Sequence, residues 1–345
     1  MSSRRTFLCH ITTASLGLPG IMAARPDISV LKPARLKSGD MIRLVGPAAP
    51  AFSREQVQIT VESLQALGLR VSVAPHVYDR YGYLAGRDAD RAADVNAAFA
   101  DSSVNAIMAM HGGWGCARIL PLLDYALIRK NPKILIGYSD ITALLLGIHA
   151  QTGLVTMHGP EGAATWNPFT VSHLKQTLMD GRPLTMENPR DREDLLAQAK
   201  DRTATIHPGK ARGRLLGGNL TVLSHLLGSS YLPDWKGAIL FLEDIHEDVY
   251  RMDRMITHLK LAGVLDQISG FVFGKCTDCD PSGGGYGSLT LEDVFTDHIA
   301  PLKIPAYSGA MIGHIKDKFT VPLGIEAEID ADRGTIRLLE SAVRL

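Results

Sequence analysis

The sequence predicts an α/β protein built from two domains, and three observations support this prediction. Short apolar segments alternate with segments whose apolar residues recur at helical spacing. A polar stretch with three prolines interrupts that alternation at residues 166–204. The chain has 345 residues, and a single hydrophobic core stops growing at about 250–300 residues. We expect an N-terminal domain at 28–165, a linker at 166–205 and a C-terminal domain at 206–345.

The N-terminal domain is expected to hold a mostly parallel sheet covered by helices on both faces. Its predicted strands are apolar along their whole length, which is typical of such sheets, and they lie at 41–45, 70–74, 104–110, 133–138 and 154–157. The helices predicted between them lie at 54–67, 88–99, about 117–129 and 141–150.

The C-terminal domain is expected to repeat the alternation more loosely. Its predicted strands lie at 238–242, 268–274, 325–329 and 335–339, and its predicted helices lie at 249–262 and 291–299. The linker is expected to be partly helical at 171–179.

The first 24 residues have the pattern of a bacterial export signal. Arg4 and Arg5 precede an apolar stretch from Ile11 to Met22, and no acidic residue occurs there. The Ser-Arg-Arg-x-Phe-Leu order resembles a twin-arginine signal. The apolar stretch is shorter than the roughly 20 residues that span a membrane, and no later segment is apolar enough to do so. We therefore expect a periplasmic protein without stable membrane insertion.

Composition excludes several classes of protein. The 36 basic residues equal the 36 acidic ones, so the chain lacks the basic excess typical of a nucleic-acid partner. A hydrophobic content of 46% excludes a disordered chain. Four cysteines are too few for a disulfide scaffold of this length. Removal of Arg4 and Arg5 with the signal would leave two more acids than bases.

The sharpest local motif surrounds Ser139. An apolar predicted strand runs into Gly137-Tyr138-Ser139, and a predicted helix follows at once. A serine on such a corner stands above the edge of the sheet, beside N–H groups that can hold an oxyanion. Ile141 occupies the position of the second glycine of a complete Gly-x-Ser-x-Gly motif. The alternative is that Ser139 only caps the following helix.

A nucleophilic serine requires a base and a group that orients the base. His314 lies in a glycine-flanked loop between apolar segments, and Glu243 ends an apolar predicted strand. Asp244 is an equally suitable orienting group by composition. The alternatives are a polar loop histidine and an acidic residue that stabilises the next helix N-terminus.

Other site classes lack the required spacing. His246-Glu247 has no second histidine where a zinc motif needs one, and the glycines near Gly112 do not match a phosphate-binding register. Cys276 and Cys279 have a CxxC spacing without a second pair, so zinc is not expected. Whether these two cysteines form a disulfide or stay reduced is open. We expect no metal and no organic cofactor.

Seven short motifs, each weak alone, occur in a fixed order over about residues 33–328. They are Tyr83–Gly86 with Arg91–Asn96, Gly112–Arg118 with Leu122–Tyr125, Gly137–Ala143, Met157–Pro160, Gly213–Leu220, Phe241–Asp244, and Gly313-His314 with Leu323-Gly324. With these motifs the chain resembles the LD-carboxypeptidase family of serine peptidases, which includes the muramoyltetrapeptide carboxypeptidases. It departs from the family in the Ile315–Lys318 segment, which is bulkier and more charged than the glycine-rich segment common there.

The resemblance implies a fold and a catalytic apparatus. The N-terminal domain would be similar to class I glutamine amidotransferase domains, and the C-terminal domain would be a swivelling β/α domain. Ser139 would be the nucleophile, His314 the general base and Glu243 its orienting group. The backbone N–H groups of Gly113 and Asp140 would form the oxyanion hole. Family resemblance also suggests a homodimer.

The substrate implied is a murein tetrapeptide, cut between meso-diaminopimelate and the terminal D-Ala. Its free carboxylate needs a cationic or N–H-rich subsite. Arg118 is a candidate for that subsite, or a structural ion-pair partner, and Trp114 stands where the family often has tyrosine. Asn219 is a further candidate for substrate contact, or a residue that forms a turn.

Two other functions fit parts of the pattern. Relatives of this family resemble microcin C immunity proteins, which hydrolyse acyl-adenylate-like peptides with the same triad, although the predicted export signal argues against that role. A periplasmic solute-binding protein would also have two α/β domains and a signal, but would not need Ser139, Glu243 and His314 together.

Overall fold

The structure, a computed structural model, describes residues 29–190, 195–279 and 287–345. The predicted export signal at 1–24 lies outside the described residues. The chain is a mixed α/β protein with two sheets, as the sequence predicts. No helix in the described ranges is long and apolar enough to cross a membrane.

The elements alternate through most of the chain. The strands are β1 Met41–Val45, β2 Arg70–Val73, β3 Ala106–Ala109, β4 Ile134–Gly137, β5 Thr156–His158, β6 Thr185–Glu187, β7 Ala204–His207, β8 Lys210–Asn219, β9 Ile239–Ile245, β10 Gly270–Thr277, β11 Ala306–Ser308, β12 Val321–Leu323, β13 Glu326–Asp330 and β14 Thr335–Leu338. The helices are α1 Arg54–Ala66, α2 Asp88–Ala100, α3 Cys116–Ile119, α4 Tyr125–Lys130, α5 Thr142–Thr152, α6 Pro168–Lys175, α7 Leu220–His225, α8 Val249–Leu261 and α9 Leu291–His298.

The first sheet has the strand order β12-β5-β4-β3-β1-β2. Strands β1 to β5 are parallel, and β12 pairs antiparallel with β5. Every residue of β3 and β4 is buried, because helices cover both faces of a parallel sheet. The five predicted strands and the helices α1, α2 and α5 lie where the sequence places them, within about three residues at each end.

The helix predicted at about 117–129 is wrong as a single element. The structure has α3, a 3-10 turn at Leu120–Leu122 and then α4. Pro121 lies in that turn, where its missing N–H and fixed backbone angle end α3. Asp124 begins a new helix because its side chain accepts a hydrogen bond from the N–H of Leu127 at 2.9 Å.

The second sheet has the order β6-β14-β13-β8-β9-β10-β11-β7. Strands β8 to β11 are parallel, and the outer pairs are antiparallel. The stretch 166–205, which the sequence predicts as a linker, contributes α6, β6 and the first residues of β7. These elements are short and their polar faces are exposed, so composition gave no strand signal.

Two features bring the sheets together at the carboxyl ends of their parallel strands. The segment 309–320 leaves β11 in the second sheet and enters β12 in the first. At the end of β8, the N–H of Asn219 donates to Thr142 Oγ1 at 3.0 Å, at the start of α5. Asn219 is in register with Glu243 of β9. The connection therefore places the end of β9 beside the end of β4.

Candidate active site

Ser139 occupies a strained corner between β4 and α5. Its φ is +61°, in the left-handed region that non-glycine residues rarely adopt. A Cβ on Gly137 would lie 2.9 Å from both γ carbons of Ile141, so the corner needs glycine there. Ile141 therefore packs against Gly137 at the position where a complete motif has its second glycine. The half-buried serine stands at the edge of the sheet, as the sequence predicts for an elbow.

The glycine loop lies directly against Ser139. A Cβ on Gly112 would be 2.8 Å from Ser139 Cβ and 3.0 Å from its Oγ. Gly113 follows with a φ of +113°. The buried Asp140 carboxylate accepts a hydrogen bond from the N–H of Cys116 at 2.8 Å. Asp140 thereby fastens the end of this loop to the serine corner.

Burial raises the pKa of Asp140 above its ordinary value, while the hydrogen bond from Cys116 opposes the rise. Asp140 and Gly113 are the two residues whose N–H groups the family resemblance assigns to an oxyanion hole. Asp140 directly follows Ser139 in the sequence. Gly113 directly follows Gly112, whose added Cβ would lie 2.8 Å from Ser139 Cβ.

Glu243 and His314 form a hydrogen-bonded pair. His314 Nδ1 donates to Glu243 Oε2 at 2.8 Å, and the Glu243 side chain is fully buried. The backbone before His314 can pass this close to Glu243 only with glycine at 313. A Cβ there would lie 2.9 Å from Glu243 Oε2, and the φ of Gly313 is +124°. Because Nδ1 is engaged, Nε2 is the ring nitrogen left to act as a base.

The charge state of Glu243 follows from this pair. Burial alone would raise the pKa of Glu243, but the hydrogen bond and charge of His314 outweigh burial and hold the pKa below its ordinary value. Asp244, the other candidate, is engaged elsewhere: its carboxylate accepts from Asn219 Nδ2 at 3.0 Å and from the Thr221 hydroxyl at 2.8 Å. Burial raises the pKa of Asp244 to about 6.

Tyr138 and Thr277 hold His314 beside the corner. The His314 ring lies edge-on to the ring of Tyr138, the residue before Ser139, with 4.9 Å between centroids. The Thr277 hydroxyl donates to the His314 carbonyl at 2.9 Å. Cys276 and Cys279 on either side of Thr277 form a disulfide, which settles the alternative that the sequence left open.

Two buried groups near Tyr138 were not selected from the sequence. His158 packs edge-on against Tyr138 and Phe241, and burial lowers its pKa to about 4. The Lys318 ammonium lies 3.9 Å from the centroid of the Tyr138 ring. Only the unusual charge of the Ile315–Lys318 segment pointed toward Lys318, because its proximity depends on the pairing of β12 with β5.

The three residues predicted to contact substrate have different surroundings. Arg118 forms an ion pair with Asp88, with Nη2 and Oδ2 2.9 Å apart. Asn219 caps α7 and donates to Asp244, and it is buried. Trp114 is 65% exposed and meets the Tyr83 ring edge-on. Arg118 thus has the ion-pair partner that the sequence allowed as an alternative, and Asn219 caps a helix where the alternative was a turn. A substrate contact for all three residues stays a prediction.

Within residues 29–190, 195–279 and 287–345, no three His, Cys, Asp or Glu side chains lie close enough together to hold a metal ion. His246, from the His-Glu pair, contacts Asp278 instead, with Nε2 and Oδ2 3.1 Å apart.

Known proteins similar to this chain match most of its length. The probable murein peptide carboxypeptidase of Bacillus subtilis is 37% identical over 88% of this chain and 93% of that protein. The structure of the Escherichia coli microcin C7 self-immunity protein MccF in its apo state has a TM-score of 0.83 and 30% identity, covering 91% of this chain and 100% of that one. The muramoyltetrapeptide carboxypeptidase from Oxalobacter formigenes has a TM-score of 0.74 and 28% identity, covering 86% of this chain and 97% of that one.

Two domain models of one protein family match this chain, the first over the N-terminal half and the second over the C-terminal half. The LD-carboxypeptidase N-terminal domain matches residues 42–159, which contain the Ser139 corner. The LD-carboxypeptidase C-terminal domain matches residues 212–329, which contain Glu243 and His314. With both domain models matched and a relative 37% identical over nearly its full length, the chain belongs to the LD-carboxypeptidase family.

Proposed function

We propose that this protein is a serine carboxypeptidase that hydrolyses the L,D-peptide bond between meso-diaminopimelate and the terminal D-Ala of murein tetrapeptides. The observation that carries the proposal is the buried Glu243–His314 pair, 2.8 Å between Oε2 and Nδ1, beside a serine with a φ of +61°. The names of the relatives supply the substrate class: two of them are described as murein peptide or muramoyltetrapeptide carboxypeptidases.

The reaction begins when His314 Nε2 takes the proton of Ser139 Oγ as the oxygen attacks the scissile carbonyl carbon. The N–H groups of Gly113 and Asp140 donate to the oxyanion of the tetrahedral intermediate, and each such donor is worth about 2.7–4 kcal/mol in a comparable site. His314 then gives the proton to the leaving amine of D-Ala, and the tripeptide remains esterified to Ser139.

Hydrolysis of the ester repeats these steps with water as the nucleophile. His314 takes a proton from water, the hydroxide attacks the ester carbonyl, and the proton returns to Ser139 Oγ. Glu243 keeps the proton on Nδ1 and stabilises the imidazolium in both halves of the reaction. The low pKa of Glu243 keeps it ionised for that role.

The proposal includes export to the periplasm and a homodimer. Arg4, Arg5 and the apolar stretch after them support export, since peptidoglycan lies outside the inner membrane. Fractionation of cells tests the location: a processed protein in the periplasm agrees with it, and an unprocessed cytoplasmic protein contradicts it. Sedimentation of the purified protein tests the dimer.

A second function is favoured by a specific observation. The apo MccF structure matches this fold with a TM-score of 0.83, higher than the 0.74 of the muramoyltetrapeptide carboxypeptidase. The same three residues would serve an immunity-type hydrolase of acyl-adenylate-like peptides. The predicted export signal weighs against this function, because its substrates belong in the cytoplasm.

Release of D-Ala from a murein tetrapeptide tests the proposal. We expect turnover by the wild type, loss of turnover in Ser139→Ala, and an unchanged rate after chelator treatment. A serine-reactive phosphonate should label Ser139 in the wild type and leave Ser139→Ala unlabelled. Loss of activity in chelator, or release of D-Ala by Ser139→Ala at the wild-type rate, would contradict the triad.

A further inference from the structure

We propose that Lys318 forms the positive subsite that binds the terminal carboxylate of the substrate. The inference rests on the proposed function, because it concerns the group that a carboxypeptidase must recognise on the residue it releases. Lys318 lies four residues after His314, in the segment that crosses from the second sheet into β12.

The strand pairing places Lys318 at the active edge of the first sheet. Val321 of β12 is the antiparallel partner of His158 at the end of β5. Continued backwards, that register brings Lys318 to the level of Glu161, beyond the carboxyl end of β5. The carboxyl ends of parallel strands share one edge, so Lys318 lies at the edge that carries Ser139 after β4.

Side-chain contacts place the ammonium beside the catalytic residues. Lys318 Nζ lies 3.9 Å from the centroid of the Tyr138 ring. Tyr138 immediately precedes Ser139, and its ring is in edge contact with that of His314. The carboxylate carbon of a C-terminal residue is three bonds, about 3–4 Å, from the scissile carbonyl carbon. A cation that binds this carboxylate must therefore lie close to the serine, and Lys318 contacts the residue that immediately precedes it.

The charge of Lys318 is buried without a carboxylate partner. The residue is 4% exposed, and no carboxylate oxygen of the described residues lies within 4.0 Å of its Nζ. The charges of two more distant acidic residues, Glu161 and Glu243, attract the ammonium. Both carboxylates contact histidines and not Lys318. Glu161 Oε1 is 3.7 Å from His111 Nδ1, and Glu243 Oε2 is 2.8 Å from His314 Nδ1.

Burial lowers the pKa of Lys318, while Glu161 and Glu243 oppose that change. A buried ammonium that lacks a paired charge is energetically unfavourable. A carboxylate that enters with the substrate would supply the missing partner. Lys318 therefore suits a carboxylate that arrives during catalysis better than a permanent structural ion pair.

Two other cations near the serine corner already have partners. Arg118 pairs with Asp88 on the surface. Arg91 is fully buried and donates to the carbonyls of Pro47 and Gly115 and to Asp88. Both arginines hold loops in place, whereas Lys318, which contacts Tyr138, has no carboxylate partner among the residues that the structure describes.

The test compares two substrates and two lysine variants. The substrates are a murein tetrapeptide that ends in D-Ala and the same peptide that ends in D-alaninamide, which has no terminal charge. The variants are Lys318→Met and Lys316→Met; Lys316 is exposed in the same segment and serves as the matched control. The measured quantity is kcat/KM for each substrate.

We expect the wild type and Lys316→Met to prefer the acid strongly. In Lys318→Met, kcat/KM for the acid should fall by about 10- to 150-fold, the usual range for a lost charged hydrogen bond. The amide should change by less than about 3-fold by the same reasoning, because it never used the charge. The ratio between the two substrates should therefore collapse in this variant alone.

Three results overturn the inference. An unchanged acid-to-amide ratio in Lys318→Met, with the acid still turned over, refutes the subsite and leaves the proposed function standing. An equal loss for acid and amide makes Lys318 a structural support of Tyr138. A wild type that releases neither D-Ala nor D-alaninamide refutes the proposed function and the subsite together. If Lys318→Met does not fold, Lys318→Gln is measured in the same way, with phosphonate labelling of Ser139 as the check on folding.

Discussion

Substitution of Gly112 by alanine tests the geometry of the serine corner without removing a catalytic group. Its φ lies outside the left-handed region, so alanine meets no backbone strain there. The added methyl group would lie 2.8 Å from Ser139 Cβ and 3.0 Å from Ser139 Oγ. The effect of Gly112→Ala therefore falls on the position of the nucleophile.

The magnitude follows from these distances. Carbon atoms in contact lie about 3.5–4.0 Å apart, so Ser139 or the loop must move by about 0.7 Å or more. A misplacement of about 1 Å in a catalytic site costs roughly 100-fold in rate. We expect kcat for D-Ala release to fall by about 100-fold by this estimate, with a smaller change in KM. Overpacking should also lower the free energy of unfolding by about 1–3 kcal/mol.

Gly147→Ala is the matched control. A Cβ at Gly147 in the middle of α5 would lie 2.6 Å from Leu120 Cδ2, and no atom of Ser139 is among its near neighbours. This variant should lose stability and keep its kcat. The assay is steady-state release of D-Ala together with thermal unfolding of both variants. A Gly112→Ala protein with wild-type kcat, or an equal fall of kcat in both variants, would refute the steric reasoning.

Three further predictions concern the groups around His314. Glu243→Gln should lower kcat by about 10⁴-fold, as loss of the orienting carboxylate does in a comparable triad. Asp244→Asn should lower kcat far less. Steady-state kinetics that rank the two variants the other way would contradict the assignment of Glu243. Thr277→Val removes the hydroxyl that donates to the His314 carbonyl at 2.9 Å. It should lower kcat by about 2- to 12-fold with little change in KM, while Thr277→Ser should retain the wild-type rate. Equal rates for the two variants would contradict a role of Thr277 in positioning His314. His158 has a pKa of about 4 in the folded protein because of its burial, against about 6.5 unfolded, so the unfolded chain takes up the proton first as pH falls. The free energy of unfolding should therefore decrease between pH 6.5 and 4, by up to about 3 kcal/mol from this residue, and denaturant titrations of His158→Phe should show a shallower decrease; an identical slope would contradict it.

Local patterns were sufficient for much of the first sheet. Residues 134–137 and 106–109 are apolar throughout because both faces of those strands are covered. The serine corner is likewise readable, since Gly137, Ser139 and the helix start are contiguous in sequence. The local sequence makes Glu243 and His314 candidates, at a strand end and in a glycine-flanked loop, but only the family resemblance favours Glu243 over Asp244 and assigns the two residues to one triad.

Other elements depend on contacts that no local pattern encodes. Strand β8 contains Gly213, Gly217 and Gly218, residues that strands usually avoid. Glycine is needed at 217, for example, because a Cβ there would lie 1.8 Å from the Phe241 carbonyl oxygen. The short strand β12 joins the first sheet from far along the chain, and Lys318 reaches the active edge only through that pairing. Such register cannot be read from propensity.

The central claim is that the Ser139 site releases the terminal D-Ala of murein tetrapeptides. The most direct measurement is mass analysis of a purified disaccharide tetrapeptide after incubation with the wild type and with Ser139→Ala. The account predicts conversion to disaccharide tripeptide and free D-Ala by the wild type alone. An intact tetrapeptide, in a preparation that hydrolyses an acyl-adenylate-like peptide, would contradict the claim and favour the immunity-type function.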